Sequence, residues 1–242
     1  AVQLSNKGAQ LILSSRRREA LEAVQAKCKS SSQVHIETLD LTDISSFENI
    51  TKTLISKFGR IDVLINNGGI SQRSTAAETS LEIDRKIMEV NYFGNIALTK
   101  AVLPYFTKQK SGAVVVISSL SGKFGFFLRS AYSASKHALV GFYESLRLEE
   151  EKHNLQVSLV FPGLIKTNIS VNALNKDGES SKEMDNNQAK GTTAEECARQ
   201  IIKGIEKEQH DIAAGGGELK ALKLKRFFPK LFYKVIRKQS AK

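Results

Sequence analysis

The feature that most constrains this chain is an uninterrupted apolar and mostly β-branched run at positions 113–117, AVVVI, with two serines directly after it. Such a run predicts a strand buried on both faces, as in a parallel sheet that helices cover. Ser118 and Ser119 would then stand at the carboxyl end of that strand. The rest of the chain must supply the helices.

Strand-like apolar runs alternate with amphipathic helical stretches over nearly the whole chain. Strands are predicted at residues 10–14, 34–39, 61–65, 156–161 and 212–214, and helices at 17–29, 44–58, 80–108, from 130 onward and 192–208. A capping box of Thr192 and Glu195 would begin the last of these helices. The alternation predicts an α/β fold with a doubly wound parallel sheet, in which ligands bind at the carboxyl ends of the strands.

The predicted organisation is a single domain followed by a short basic segment. The domain would span residues 1–217, and the segment residues 218–242. Within the domain, residues 168–191 are polar and irregular, which is the composition of a mobile loop.

Tyr132 and Lys136 are four residues apart in the helix predicted from residue 130 onward, so they share one face. A free tyrosine has a pKa near about 10 and shuttles protons poorly at neutral pH unless its phenolate is stabilised. A drop of roughly three units requires about 4 kcal/mol, which one close ammonium in a partly desolvated cleft can supply. Ser119 could return to the same place and donate a hydrogen bond to a substrate oxygen. The same Tyr–Lys spacing also occurs in many helices by chance.

The whole segment, a buried strand ending in Ser-Ser, a glycine-containing loop and then Y-S-A-S-K-x-A-L, resembles the active-site segment of the short-chain dehydrogenase/reductase family. The resemblance implies a Rossmann-type fold, a nicotinamide cofactor and hydride transfer to or from a carbonyl or an alcohol. It also implies that Ser119, Tyr132 and Lys136 are catalytic, and that Tyr132 and Lys136 take part in binding the cofactor. Asn91, in V-N-Y-F-G-N, matches the asparagine of the family's catalytic tetrad, which would hold a water that links Lys136 to solvent. By itself, an asparagine in a helix is usually structural.

Arginines follow the first predicted strand, where dinucleotide-binding folds place an acid for the ribose hydroxyls or an arginine for a 2′-phosphate. Ser15 stands in the acid's place, and Arg16, Arg17 and Arg18 come next. Three cations at a helix N-terminus oppose the helix dipole, which favours a bound anion there. The sequence therefore predicts NADP(H) as the cofactor, with Arg16 and Arg17 binding it. A solvated basic helix start is the alternative.

Two further segments resemble cofactor-binding motifs of the family. The D-L-T-D segment implies that Asp40 contacts the adenine amino group and that Leu41 packs on the base, although its spacing alone indicates only a strand-to-helix turn. The P-G-L-I-K-T segment implies that Ile165 and Thr167 lie near the nicotinamide amide.

A tight turn, N-N-G-G, follows the strand predicted at residues 61–65. It resembles the family's N-N-A-G motif, with Gly68 in the alanine position. Asn66 is expected to brace the sheet, and Asn67, Gly68 and Gly69 are expected to line the cofactor, because glycine lets a ligand approach the backbone closely.

The resemblance also predicts a segment that the sequence does not contain. A domain of this family should open with a strand and a T-G-x-x-x-G-I-G turn, whose glycines admit the pyrophosphate to a helix N-terminus. Residues 1–10 match instead the end of the helix after that turn. About twenty further residues are therefore expected before Ala1. Omission of disordered residues, a shortened chain and a misplaced start would each explain this. We favour the first, because losing a central strand would cost more than a typical domain's net stability.

The net charge of +11 is concentrated at the end of the chain, where residues 218–242 contain nine Lys or Arg and one acidic residue. No nucleic-acid motif accompanies this charge, so no specific nucleic-acid partner is expected. One helical face of the segment would carry Leu224, Phe228, Leu231, Phe232 and Val235. Such a helix fits peripheral contact with a membrane or a partner subunit, and a helix folded back on its own domain is the alternative.

Cys28 and Cys197 have no metal-ligand spacing and no histidine cluster beside them, so no metal is expected. Two free thiols are consistent with a reducing cytosol. No run of 18 apolar residues or signal peptide is present, which predicts a cytoplasmic protein that neither spans a membrane nor directs its own export. By analogy with the family, we expect a homo-oligomer.

Together these features predict an NADP(H)-dependent oxidoreductase that acts on a small carbonyl or alcohol, with Tyr132 as general acid/base. The run V-V-I-S-S-L-S-G-K and the basic, aromatic C-terminal segment resemble the branch that contains 11β-hydroxysteroid dehydrogenase type 1. Two alternatives stay open: a 3-oxoacyl carrier-protein reductase, and a non-catalytic binding protein that retains the fold.

Overall fold

The computed structural model of the protein describes residues 1–29 and 34–238. The strands are β1 (Leu11–Ser15), β2 (Val34–Thr38), β3 (Val63–Asn66), β4 (Gly112–Ile117), β5 (Leu155–Pro162), β6 (Ile165–Lys166), β7 (Thr192–Thr193) and β8 (Asp211–Ala214). The helices are α1 (Val2–Asn6), α2 (Arg18–Gln25), α3 (Phe47–Phe58), α4 (Leu81–Met88), α5 (Gly94–Gln109), α6 (Ser130–Glu149), α7 (Asn186–Ala189), α8 (Ala194–Glu206), α9 (Lys220–Phe227) and α10 (Pro229–Ile236).

The principal strands all pair in parallel, so the predicted α/β fold with a parallel sheet is confirmed. β1 pairs with β2, and β3, β4, β5 and β8 pair in that order. Among the described residues, β1 and β3 each pair on one side only. The carboxyl ends of the strands carry the residues that the sequence assigns to the cofactor and to catalysis.

Strand β4 is buried on both faces, as its sequence predicts. Val114 and Val116 pack into a core with α5 and α6, where their neighbours include Leu139 and Tyr143. Val115 points to the opposite side of the sheet and packs against residues of β8 and α8. This double coverage fixes the position of the two serines that follow the strand.

Strand β3 differs from its prediction, because two of its residues are not buried. Val63 and Ile65 are 45% and 39% exposed. Their side chains line the same cleft as Leu11 and Leu13 of β1. The physical reason is the one-sided pairing of β3, which leaves the face and edge nearest β1 without a neighbouring strand among the described residues.

The helix predicted at residues 80–108 is present and contains an irregular turn. Helices α4 and α5 are joined without a break by a π-helical turn, Glu89–Phe93, which contains Asn91. The Oγ of Ser80 caps α4 by accepting a hydrogen bond from the backbone N–H of Ile83 at 3.3 Å. A π-helical turn inserts one extra residue into a helix and often occurs at functional sites.

The start of α8 corrects a prediction by one residue. Thr193, not Thr192, is the N-cap, and its Oγ1 accepts a hydrogen bond from the backbone N–H of Glu196 at 3.2 Å. Thr192 instead belongs to β7, which pairs with β6, and its N–H donates to the carbonyl oxygen of Leu164 at 2.9 Å. The strand pairing therefore displaces the predicted capping box.

The C-terminal segment forms two helices where the sequence predicted one apolar face. Phe228 has a non-helical backbone and Pro229 begins α10, so the face is broken between them. Phe232 is buried against Leu120 and Phe124, with the Phe124 and Phe232 ring centres 4.9 Å apart. Residues 239–242 lie outside the described residues. No helix in the described part of the chain is both long enough and apolar enough to cross a membrane.

Candidate active site

The two serines after β4 have different surroundings. Ser118 is buried, and its Oγ donates to the carbonyl oxygen of Lys136 at 3.1 Å, which ties the strand end to α6. Ser119 lines the cleft, and its Oγ accepts from the backbone N–H of Ser121 at 3.1 Å. The phenol of Tyr132 lines the same cleft, and the Ser119 hydroxyl acts to lower the pKa of that phenol. The structure therefore brings Ser119 and Tyr132 together, as the sequence predicts.

The side chain of Tyr132 is buried. Burial raises the pKa of its phenol, and the hydrogen bond from Ser119 and the charge of Arg129 oppose this rise only in part. The expectation that Lys136 holds the phenol's pKa below its usual value is therefore wrong for this structure. The reason is that burial is the largest influence on the phenol, and Lys136 is not among the groups that lower its pKa.

Lys136 is buried one helical turn after Tyr132. Its Nζ donates to the carbonyl oxygen of Ile117 at 2.8 Å, at the end of β4. Burial lowers the pKa of Lys136 to about 8, because the charged ammonium loses its hydration. A lysine with this pKa can exchange protons near neutral pH.

Asn91 braces the floor of the site with its whole side-chain amide. Its Oδ1 accepts from the backbone N–H of Ile70 at 2.8 Å, and its Nδ2 donates to the carbonyl oxygen of Ile70 at 2.9 Å and to Oγ of Ser135 at 3.0 Å. The backbone of Gly69 runs beside it: a Cβ atom at Gly69 would lie 3.1 Å from Asn91 Oδ1 and 3.5 Å from Lys136 Nζ. Gly69 therefore lies close to both Asn91 and Lys136, and its lack of a side chain leaves space beside them for a ligand.

Asn66 connects β3 to two helices. Its Nδ2 donates to Oγ1 of Thr99 at 2.8 Å and to the hydroxyl of Tyr143 at 3.0 Å, in α5 and α6. Asn66 was expected to brace the sheet, and its hydrogen bonds instead tie the end of β3 to the two helices that cover the sheet. The sequence offered no signal that singled out Thr99 or Tyr143 for this network.

Gln72 is a second residue that sequence reasoning missed. It is fully buried, and its Oε1 accepts from the backbone N–H of Ala131, the residue before Tyr132, at 2.8 Å. Its Nε2 donates to Thr79 at 2.6 Å and to Ser130 at 3.2 Å. Gln72 therefore fixes the start of the helix that carries Tyr132.

The predicted adenosine end of the site lies where β1 and β2 end. The charge of Arg16 acts on Asp40 and lowers its pKa, after the larger effect of a hydrogen bond from the backbone N–H of Thr42. Arg18 is directed along its own helix, where its Nε lies 3.0 Å from Oε1 of Glu22. Of the three arginines, Arg16 lines the cleft, whereas Arg17 and Arg18 do not.

Leu41 explains the glycine that replaces the family's alanine at position 68. A Cβ atom at Gly68 would lie 2.5 Å from Cδ1 of Leu41, and one at Gly94 would lie 2.3 Å from the backbone oxygen of Leu41. Gly68 and Gly94 therefore allow Leu41, which follows β2, to pack closely against the end of β3 and the start of α5. Asn67, Gly68 and Gly69 are exposed to the cleft, as expected.

The predicted nicotinamide end is held by a residue that the sequence did not indicate. Oε1 of Glu218 accepts from the backbone N–H of Leu164 at 2.9 Å and from that of Gly216 at 3.0 Å. This fixes the backbone beside Ile165, which is buried, and Thr167, and both of them line the cleft. Residue 218 was assigned to the separate C-terminal segment, yet its carboxylate supports the domain.

These ends belong to one continuous cleft of about 2420 Å³. Ser119, Tyr132 and Lys136 line it together with the predicted cofactor residues other than Arg17; Asn91 lies just behind it. The cleft has a cation beside an acid at one end, glycine backbone in the middle and a proton-donating phenol at the other. This order of groups fits an extended nicotinamide dinucleotide.

Sequence and structure comparisons decide the family. A family model described as short chain dehydrogenase matches residues 1–178. The chain belongs to the short-chain dehydrogenase/reductase family. Members of this family are oxidoreductases that use a nicotinamide cofactor, which agrees with the cleft. The narrower resemblance to the 11β-hydroxysteroid dehydrogenase type 1 branch stays a prediction.

Individual proteins support the same family. The mouse protein Dehydrogenase/reductase SDR family member 7B is 43% identical over 210 residues, which are 85% of this chain and 65% of the mouse protein. A crystal structure of a short-chain dehydrogenase from Streptomyces avermitilis has 28% identity, a TM-score of 0.76 and coverage of 97% of this chain and 91% of that one. The structure of ElxO with NADP bound has 30% identity, a TM-score of 0.64 and coverage of 68% and 67%.

Proposed function

We propose that this chain is an NADP(H)-dependent oxidoreductase that transfers a hydride between the nicotinamide and a carbonyl or alcohol substrate, with Tyr132 as general acid/base. The observation that carries the proposal is that the side chains of Ser119 and Tyr132 line one cleft, with Lys136 one helical turn after Tyr132. Two hydroxyls that face one cavity can both reach a single substrate oxygen.

The bound cofactor would supply or accept the hydride. Tyr132 donates a proton to the substrate oxygen during reduction, or removes it during oxidation. Ser119 orients that oxygen and stabilises the charge that develops on it. Lys136, whose pKa is about 8, would return the proton to Tyr132 through an ordered water. Asn91 would keep such a water in place from behind Gly69.

The preference for NADP(H) rests on Arg16. Its guanidinium lies at the end of β1, lines the cleft and carries no ion pair within the described residues other than its long-range attraction to Asp40. A guanidinium is well suited to bind a phosphate through paired hydrogen bonds. The ElxO structure, a relative in fold, was solved with NADP bound.

One assay separates the three functional candidates. The full-length protein is incubated with NADPH and a panel of ketones, aldehydes and acyl thioesters, and NADPH consumption is measured. Consumption with ketones or aldehydes supports the proposed function. Consumption confined to 3-oxoacyl thioesters supports a 3-oxoacyl carrier-protein reductase. Tight NADPH binding without consumption on any substrate supports a non-catalytic protein that retains the fold.

We also propose peripheral membrane contact through α9 and α10. Phe232 anchors these helices to the domain, yet Phe227 and Phe228 remain 65% and 62% exposed, and Leu231 and Tyr233 are exposed beside them. Lysines and arginines surround these side chains. Exposed aromatic rings within a basic surface are typical of helices that lie on anionic lipid.

A further inference from the structure

The carboxylate of Asp185 joins three segments that are far apart in the sequence. Its Oδ2 lies 3.0 Å from Nη2 of Arg129, directly before α6, and 3.6 Å from Nη1 of Arg73, in the loop after β3. The side chains of Asp185, Arg129 and Arg73 are 3%, 11% and 13% exposed. Burying charged groups costs free energy, and a buried ion pair commonly adds little net stability. A role other than general stability therefore explains the cluster better.

Asp185 also holds its own segment together. Its Oδ1 accepts from the backbone N–H groups of Asn187 at 2.9 Å and Gln188 at 3.3 Å, which caps α7. Its backbone N–H donates to Oγ of Ser170 at 3.2 Å, near the start of residues 168–191. One residue thus connects the beginning and the end of this segment and attaches both to the two arginines.

The backbone of the loop after β3 continues the attachment. The N–H of Arg73 donates to the carbonyl oxygen of Leu174 at 2.8 Å, and the N–H of Leu174 donates to the carbonyl oxygen of Ser71 at 2.8 Å. These bonds hold the middle of residues 168–191 next to the arginine that meets Asp185. Residues 168–191 are therefore held at Ser170, Leu174 and Asp185, on one side of the cleft.

Arg129 links this cluster to Tyr132. It stands three residues before Tyr132, its carbonyl oxygen accepts from the N–H of Ser133 at 2.8 Å, and its side chain lines the same cleft as Tyr132 and Asp185. Its positive charge favours the ionised phenol, and the carboxylate beside it reduces that charge.

Two charged groups outside the cluster, Lys136 and Glu183, lie near it or near Tyr132, in addition to the cluster's own Arg73. Nζ of Lys136 lies 5.7 Å from the Tyr132 ring, and Arg73 shares the carboxylate of Asp185. Oε2 of Glu183 lies 4.0 Å from Nε of Arg73, but this carboxylate is 75% exposed and solvent screens it. The buried charged groups named here are therefore three cations, Arg73, Arg129 and Lys136, and one anion, Asp185.

We propose that Asp185, Arg129 and Arg73 form a clamp that holds residues 168–191 against the catalytic cleft, and that Arg129 is the positioning residue through which the clamp acts on Tyr132. While the clamp is closed, the carboxylate offsets the guanidinium beside the phenol. If the segment moves away, that guanidinium acts on Tyr132 without the offsetting carboxylate. The effect of the clamp on catalysis rests on the proposed function, whereas the contacts that form the clamp do not depend on it.

The first test measures how tightly the segment is held. Asp185→Asn removes the charge but keeps an oxygen that can cap α7. Trypsin cleavage after Lys176, Lys182 and Lys190 of the full-length protein should become at least about tenfold faster, because the segment opens more often. Glu179→Gln, which removes an exposed carboxylate from the same segment, is the matched control. Equal cleavage rates in the two variants would overturn the clamp.

The second test measures the ionisation of Tyr132 without any substrate. Ultraviolet difference titration against Tyr132→Phe isolates this phenol from the other four tyrosines. Arg129→Gln should raise the pKa of Tyr132, and Asp185→Asn should lower it, because they remove charges of opposite sign. Arg129→Lys keeps the cation and should titrate like the wild type.

Shifts in the same direction, or no shift in either variant, would mean that the cluster is only structural and would overturn the role of Arg129. Because neither readout needs turnover, the clamp and the proposed function can fail separately. If the protein reduces no carbonyl but the two variants shift the pKa of Tyr132 in opposite directions, the clamp is supported and the proposed function is wrong. If the protein is an active reductase but the two shifts are not opposed, the role of Arg129 in the clamp is wrong.

Discussion

The ammonium of Lys136 lies 5.7 Å from the centre of the Tyr132 ring and donates its hydrogen bond to Ile117, 2.8 Å away, at the end of the neighbouring strand. Burial therefore acts on both groups in the direction of their neutral forms: it raises the pKa of Tyr132 and lowers that of Lys136 to about 8. A neutral phenol is the proton donor that carbonyl reduction requires. If Tyr132 is the general acid proposed above, a lysine with a pKa of about 8 is better suited to return protons to the phenol than to hold it ionised.

The first prediction is that Lys136→Met stabilises the protein at pH 7. The folded pKa of Lys136, about 8, lies below an unfolded value near about 10.4, so below pH 8 folding must bury a charged ammonium. That cost is about 3 kcal/mol, and the hydrogen bond to Ile117 offsets about 1 kcal/mol of it. Urea unfolding should show the variant more stable by about 2 kcal/mol.

This prediction can be tested by measuring how the stability difference between the variant and the wild type changes with pH. As pH rises from about 8 to about 10.4, the folded lysine is neutral while the unfolded one still binds a proton, so wild-type stability increases relative to the variant. The advantage of Lys136→Met should therefore shrink across this interval. Lys52→Met, at an exposed position of α3, is the control and should show no such trend. A variant that is less stable than the wild type at pH 7 would contradict the argument.

A second prediction concerns Tyr132→Phe. The ring still packs, but the hydroxyl that Ser119 contacts is gone, so kcat on the best carbonyl substrate should fall by about 10²- to 10⁴-fold. Affinity for NADPH, measured by fluorescence titration, should stay within about twofold of the wild-type value, because the ring of residue 132 still packs and the other cofactor residues are untouched. Retention of most of the activity would show that another group supplies the proton.

The sequence predicted the layout of the site because its strands are strongly patterned. The uninterrupted run before Ser118 placed Ser119 at a buried strand end, and the four-residue spacing placed Tyr132 and Lys136 on one helical face. Both expectations depend only on local periodicity. The fold class followed in the same way from the alternation of strands and helices.

What the sequence could not predict are the long-range polar contacts. Gln72 meets Ala131 across 59 positions, Glu218 meets Leu164 across 54 positions, and Asp185 meets Arg129 across 56 positions. No periodic pattern marks such residues, because each satisfies a single buried partner. The raised pKa of Tyr132 was missed for a related reason: spacing gives a shared face but neither a distance nor a degree of burial.

A third prediction concerns the choice of cofactor. Arg16→Ala should raise the KM for NADPH by about tenfold or more, because the 2′-phosphate loses a charged hydrogen-bond partner, and should leave the KM for NADH nearly unchanged. Arg18→Ala is the matched control, since Arg18 is paired with Glu22 and does not line the cleft. Equal activity with both cofactors in the wild type, or an equal loss in both variants, would remove the basis for an NADP(H) preference.

The last prediction concerns the membrane contact of α9 and α10. Deleting residues 218–242 would be an ambiguous test, because it also removes Glu218, which holds Leu164, and Phe232, which is part of the core. Replacing Phe227 and Phe228 together by serine removes exposed rings only.

Sedimentation with vesicles that contain anionic lipid should show wild-type binding that decreases with salt and at least about tenfold weaker binding by the double variant, because two buried rings contribute several kcal/mol in an interface. Leu148→Ser, at an apolar side chain of α6 that is 75% exposed, is the control and should bind like the wild type. If the double variant binds as well as this control, the lysines alone account for the attraction. If neither the wild type nor the control binds, the proposed membrane contact is wrong.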